Sequence, residues 1–156
     1  MTRYFFSFPS TDKAFRISDD IFGEVVDAAD SDLLEKQRMK LIVSELFMNA
    51  FIHGNKSNPE KFVDVILEFD NDIFAATVKD QGKDISIERF KAKIHSVTNP
   101  EAESGRGINI IHKLCEDVQV YRDQDDKFCV RALRRIYKKP HAAPARAGKQ
   151  RKTEVS

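Results

Sequence analysis

The sequence predicts an α+β domain, a two-layer sandwich with helices covering one face of a largely antiparallel sheet. Three observations predict it. Strand-like and helix-like runs follow one another as β-α-α-β-β-α-loop-α-β-β, without the regular βαβ alternation of a parallel sheet. Two pairs of strand-like runs are joined by short polar turns, as antiparallel hairpins are. The segment Leu41–Gly54 is apolar at helical spacing, which calls for a surface to bury it.

The elements follow in order. Tyr4–Phe8 reads as a strand ended by Pro9. A helix spans about 11–29, with Phe15, Ile21, Phe22, Val25, Val26 and Ala29 as core candidates. Asp30 or Ser31 caps a second helix that runs to about His53, where Gly54-Asn55 stops it. Phe62–Phe69 alternates, so that Val63, Val65, Leu67 and Phe69 share a face. It pairs across Asp70-Asn71-Asp72 with Ile73–Lys79. A short helix covers about 87–95, and 96–104 has little periodicity and reads as a mobile loop. A last helix from Gly107 to about Glu116 precedes an antiparallel pair, 118–122 with 128–136.

Length and composition set the class. With 156 residues, 41% hydrophobic and 33% charged, the chain suffices for one domain with one core. No apolar run reaches the roughly 20 residues of a membrane helix, and the N-terminus has too short an apolar stretch for a signal peptide. Cys115 and Cys129 form no CxxC pair, so reduced thiols in a cytoplasmic protein are the plain reading. The net charge of +1 hides an asymmetry: residues 138–156 carry six Lys/Arg and one acid, leaving a body of net −4. That is not the footprint of a dedicated nucleic-acid-binding domain. We therefore expect a folded domain over 1–137 and a basic, disordered tail over 138–156.

The second helix carries the chemistry. At about 100° per residue, Met39, Val43, Leu46, Phe47, Ala50 and Gly54 form one face, and Leu41, Met48 and Ile52 a second apolar strip. Between them Glu45, Asn49 and His53 line up at i, i+4 and i+8. A helix this apolar should be largely buried, so a carboxylate, an amide and an imidazole along it face something polar. A solvated stripe, or a Glu satisfied by its neighbours, is the plain alternative to a wet cleft holding a cation or phosphate. Asp80-Gln81-Gly82 places a carboxylate at a strand end before a glycine turn. It is either a turn and no more, or an acceptor for an amino group such as adenine N6, with Gly82 allowing close backbone approach. Gly105-Arg106-Gly107-Ile108 opens a helix, where exposed N–H groups and an arginine suit an anion, although loops and caps also use such glycines. No Walker A motif is present, since no GK[ST] follows.

Together and in this order, Glu45-x-x-x-Asn49-x-x-x-His53, Asp80-x-Gly82 and Gly105-x-Gly107 resemble the N, G1 and G2 boxes of the GHKL (Bergerat-fold) ATPases. The run Val43-Ser44-Glu45-Leu46-Phe47-Met48-Asn49-Ala50-Phe51-Ile52-His53-Gly54 is most similar to the RsbW/SpoIIAB anti-sigma-factor serine kinases, and the resemblance covers residues 4–137. It implies a mostly antiparallel mixed sheet covered on one face by helices. It also implies ATP and Mg²⁺ as ligands, with Glu45 as catalytic base and Asn49 on the metal. Asp80 and Gly82 would lie at adenine, and Gly105, Arg106, Gly107 and Ile108 around the phosphates. His53 either orients a neighbour or closes the helix.

The implied function is a serine/threonine kinase that phosphorylates a STAS-type anti-anti-sigma protein and inhibits a sigma factor. It would act as a homodimer, without membrane or direct nucleic-acid contact. The alternative is a non-catalytic, nucleotide-gated binding module. Two departures from the family pattern bear on this choice: Asp84 replaces a second G1 glycine, and Asp126-Lys127-Phe128 stands where a Gly-Thr is common. Asp84 would put an extra charge near the nucleotide. Sensor histidine kinases need a long helical dimerisation domain, and Hsp90-, MutL- and gyrase-type ATPases need larger following domains, for which this chain has no room.

Overall fold

The computed structural model describes residues 1–95 and 106–137; the expected loop at 96–104 and the basic tail at 138–156 lie outside the described residues. Five strands, β1 (Thr2–Pro9), β2 (Phe62–Asp70), β3 (Ile73–Asp80), β4 (Asp117–Arg122) and β5 (Phe128–Arg135), form one sheet in the order β1-β2-β3-β5-β4. All four pairings are antiparallel, so the described sheet has no parallel component. Helices α1 (Asp12–Asp27), α2 (Leu33–Asn49), α3 (Ile87–His95) and α4 (Arg106–Leu114) accompany it. Element order and strand and helix bounds agree with the sequence expectation to within about two residues except around α2.

Period-two alternation decides which side of the sheet is covered. Val63, Val65 and Leu67 of β2, Phe74, Ala76 and Val78 of β3, and Phe128, Val130 and Ala132 of β5 all turn into the core. The other side carries charge: Glu68 is paired with Arg3 and Arg131, and Asp64 with Lys127 at 2.6 Å. The heavy use of phenylalanine has a place here. Phe8 of β1, Phe22 of α1 and Phe47 of α2 meet edge-on in all three pairings, with centroids 5.5–5.8 Å apart. Such pairs each add about 0.5–1.5 kcal/mol beyond area burial. They bind the first strand and both helices into one cluster.

Three expectations for α2 are corrected. Its cap is Asp32, not Asp30 or Ser31: Asp32 is extended and its carboxylate accepts from the Glu35 N–H at 2.9 Å. Regular α-helix ends at Asn49, and Ala50–Gly54 is a π-helical turn closed by Asn55 N–H donating to the Ala50 carbonyl at 2.8 Å. The reason is Asn55, whose buried side chain is anchored elsewhere and draws the chain outward. Finally, the strip Leu41, Met48 and Ile52 is 38–43% exposed, whereas the opposite strip, Met39 to Gly54, is buried as expected. Only one apolar face of α2 meets the sheet, because α1 and α4 flank the helix and do not cover its outer side.

Glu35 and Arg134 form a buried ion pair, with Nε–Oε2 at 2.9 Å and Nη2–Oε1 at 3.0 Å, tying the start of α2 to β5. Burial pushes the Glu35 carboxyl up, but hydrogen bonds from Arg134 and Arg38 outweigh it and hold the group below its ordinary value. Removing one partner leaves a buried charge uncompensated. Glu35→Ala is therefore expected to lower unfolding free energy by about 3–5 kcal/mol in a urea titration at pH 7. Because the folded carboxyl is lowered, the wild-type advantage should shrink as pH falls below the unfolded glutamate value of about 4.3.

Candidate functional site

The site lies where the C-terminal end of α2, the end of β3 and the start of α4 converge. Asn55 builds the first of these junctions. It is fully buried; its Nδ2 donates to Ser10 Oγ and to the Phe62 carbonyl, both at 2.9 Å, and its Oδ1 accepts from the Gln81 N–H at 2.8 Å. One amide thus joins the β1–α1 connection, the start of β2 and the turn after β3. The sequence reading took Gly54-Asn55 only as a helix stop. An Asn after a helix is common in caps, and nothing local in the sequence distinguishes one whose partners are 26 and 45 residues away.

Two glycines then allow contact. A Cβ on Gly54 would lie 2.2 Å from the Asp80 carboxylate, and one on Gly82 would lie 2.5 Å from the Gly54 carbonyl oxygen. Helix end, strand end and turn are therefore packed backbone against side chain. Asp80 is 3% exposed and accepts from the Gly82 N–H at 2.8 Å. Burial pushes its carboxyl up to about 6, against the Gly82 hydrogen bond and the Arg122 charge, which favour the anion.

A third glycine closes the other end. A Cβ on Gly107 would lie 2.3 Å from Glu45 Oε2 and 3.7 Å from Asn49 Nδ2, so the first turn of α4 sits directly on the α2 carboxylate and amide. The Asn49 Nδ2 is buried and has no hydrogen-bond partner, and burial raises the Glu45 carboxyl above its usual value. The Glu45–Asn49 part of the polar stripe is therefore half-buried against α4 and not a solvated face.

Between these junctions is a cavity of about 170 Å³. Leu46, Val78, Ile85, Phe90, Ile108 and Phe128 give it apolar walls; Asn49, His53, Asp80 and Lys93 are its polar members. A few polar groups in an apolar cleft is the usual make-up of a small-molecule site. Of the expected site residues, Asn49, His53, Asp80 and Ile108 line this cavity, Gly82 lies against Asp80, and Glu45 and Gly107 meet at its α4 end. Gly105 and the Arg106 side chain lie outside the described residues. His53 is exposed on the π-helical turn. Asp84 does not line the cavity: its exposed carboxylate is paired with Lys56 at 2.7 Å, which holds it below its usual value. The extra charge expected beside a nucleotide is turned aside and neutralised.

Sheet, helices and a cavity shared by these three motifs define an ATP-binding domain of the GHKL class. The chain belongs to the histidine kinase-like ATPase domain family, whose model matches residues 8–134. It is similar to proteins named anti-sigma F factor. That of Geobacillus kaustophilus is 30% identical over 139 residues, 85% of this chain and 90% of the relative. That of Halalkalibacterium halodurans is 32% identical over 100 residues, 63% and 68% respectively. That of Anoxybacillus flavithermus is 29% identical over 111 residues, 70% and 75%. Among the described residues no helix is long and apolar enough to cross a membrane.

The residues fit ATP and a magnesium ion. An unpartnered buried amide, a buried carboxylate beside an apolar cleft and glycine backbone at both ends are what an adenine base and a phosphate chain require. Among the described residues no three His, Cys, Asp or Glu side chains are placed to hold a metal. Magnesium keeps several waters and leans on substrate phosphates, so Asn49 Oδ1 would be its protein oxygen here, while the orphaned Nδ2 is a donor and suits a phosphate oxygen.

The buried Asp80 is a stability cost at neutral pH. A folded carboxyl raised to about 6 holds its proton more tightly than the unfolded chain does. Its contribution is thus favourable at low pH and lost as pH rises through about 6, a difference of up to about 3 kcal/mol. Asp80→Asn, which keeps an acceptor for Gly82, should melt at higher temperature than wild type at pH 7.5. The gap should close near pH 4 in parallel thermal melts.

Proposed function

We propose that this chain is an ATP–Mg-dependent serine/threonine protein kinase that phosphorylates a STAS-type anti-anti-sigma protein and binds a sigma factor, in the cytoplasm and as a homodimer. The observation that carries the reading is the meeting of Glu45 and Asn49 with Gly107 at one end of the Asp80 cavity. The names of the relatives support the sigma-factor partner.

Each residue has a separate task. Asp80 accepts a hydrogen bond from the exocyclic amine of adenine, while the apolar walls take its faces. Asn49 offers its amide oxygen to the metal. Gly107 presents its backbone N–H to the phosphates at the positive end of the α4 dipole, and Gly105 and Arg106 are assigned to the phosphates by the sequence motif alone. Bound ATP–Mg supplies the phosphoryl group and much of the charge neutralisation that such transfers need. Glu45 takes the proton from the attacking serine hydroxyl; its raised carboxyl makes it a stronger base than an exposed glutamate. His53 lies at the cavity and orients the nucleotide or its neighbours.

The test is incubation with ATP–Mg and the STAS-type product of a neighbouring gene, read as a phosphate mass shift on a serine. Glu45→Gln should keep Mg–ADP affinity and lose about 10²–10⁴-fold in transfer rate. A wild-type rate in that variant removes Glu45 as the base. Asn49→Ala should lose the magnesium-dependent part of ADP affinity in calorimetry. Nucleotide binding without any transfer would leave the gated binding module as the function.

A further inference from the structure

Arg122, the last residue of β4, has no place in the assignments above, yet more hydrogen bonds converge on it than on any of the three motifs' side chains among the described residues. Its Nη1 donates to the carbonyls of Gly82 and Asp126, both at 3.0 Å. Its Nη2 donates to those of Lys83 at 3.3 Å and Ile85 at 3.2 Å. The guanidinium also lies over the Phe128 ring, 5.6 Å from its centroid. Register explains the placement. Arg122 pairs with Phe128, and Phe128 pairs with Asp80, so the three form one row across β4, β5 and β3. Phe128, Asp80 and Ile85 line the cavity, and Arg122 touches two of them from outside it.

Gln81 is held by Asn55 and Phe62, and the Gly82 N–H by Asp80, but residues 83–85 have few other ties. Lys56–Asp84 and Lys83–Asp126 are both exposed ion pairs, which contribute little. The Arg122 side chain is only 22% exposed, and its planar fork spans carbonyls that a single ammonium cannot reach together.

We propose that Arg122 is a positioning residue for the cavity: by gripping the carbonyls of Gly82, Lys83 and Ile85 against the back of Phe128, it fixes the 82–85 loop and so holds Ile85 in the cavity wall. This rests on the reading of the cavity as the nucleotide site. Arg122 touches no nucleotide; it acts by removing alternative conformations of the loop before binding, so its loss is a loss of preorganisation.

The experiment uses the full chain with Mg–ADP as probe, and compares Arg122→Ala, Arg122→Lys and, as a neighbouring control, Lys83→Ala. Amide hydrogen exchange follows residues 82–85, and calorimetry follows affinity. The expected result for Arg122→Ala and Arg122→Lys is faster exchange confined to this loop and a Kd raised about tenfold, with core strands β2 and β3 as protected as in wild type. Lys83→Ala should change neither. Wherever transfer activity is measurable, KM for ATP should rise while kcat holds, since a wall that binds base contributes equally before and during the reaction. Should Arg122→Ala fail to fold, Arg122→Lys decides alone, because it keeps stem and charge and loses only the fork. Wild-type exchange and affinity in Arg122→Lys overturn the proposal, as does a loosened loop with unchanged affinity. A wild-type chain that binds no Mg–ADP overturns the nucleotide reading and this inference with it; a wild-type chain that binds while the variants bind equally overturns this inference alone.

Discussion

The cavity exists because the end of α2 can touch the end of β3. Gly54 has no side chain, and the Asp80 carboxylate occupies the space one would take. A methyl group there would force helix and strand apart and open the corner in which Asp80 is desolvated. Asn55 holds the contact from the other side by bonding the Ser10 hydroxyl, the Phe62 carbonyl and the Gln81 N–H with one buried amide. The π-helical turn is the geometric consequence: the helix widens by one residue so that position 55 points into this junction while Asn49 still faces the cavity. Such turns recur where a helix must serve packing and function at once.

The same corner shows how binding competes with stability. A carboxylate in an apolar cleft, an amide with an unpartnered Nδ2 and a glutamate raised by burial are each unfavourable in the folded chain by itself. They are tolerated because the rest of the domain is over-determined: a phenylalanine cluster joins β1, α1 and α2, and the Glu35–Arg134 pair locks α2 to β5. The rigid layer carries the strain of a site whose polar groups await a ligand.

Much of this was legible in the sequence. Alternation in 62–69, with the polar turn Asp70-Asn71-Asp72 and a second strand-like run in 73–79, gave the central hairpin, since a covered face leaves a period of two in the residues themselves. The stripe Glu45, Asn49, His53 was visible because helical geometry aligns every fourth residue. The α2 cap was misplaced because Asp30, Ser31 and Asp32 are equally able to cap, and only the backbone direction chooses among them. The exposed strip of Leu41, Met48 and Ile52 was read as buried because apolar character reports affinity for a covering surface, not whether one is present. Asp84 reads in the sequence as an extra charge near the nucleotide because a sequence shows a charge without its counter-ion, here Lys56, and without its place outside the cavity lining.

The sequence by itself determined the order of elements, the helix-facing side of each strand and the residue types of the three motifs, because these depend on local periodicity and on chemistry carried by single side chains. Only the tertiary structure decided that Gly107 lies on Glu45, that Asp80 is sealed behind Gly54, and that Asn55 and Arg122 hold the corner. Those facts are distances between groups tens of residues apart. They are set by the register of antiparallel strands and the packing of α2 on the sheet, which no window of the chain contains.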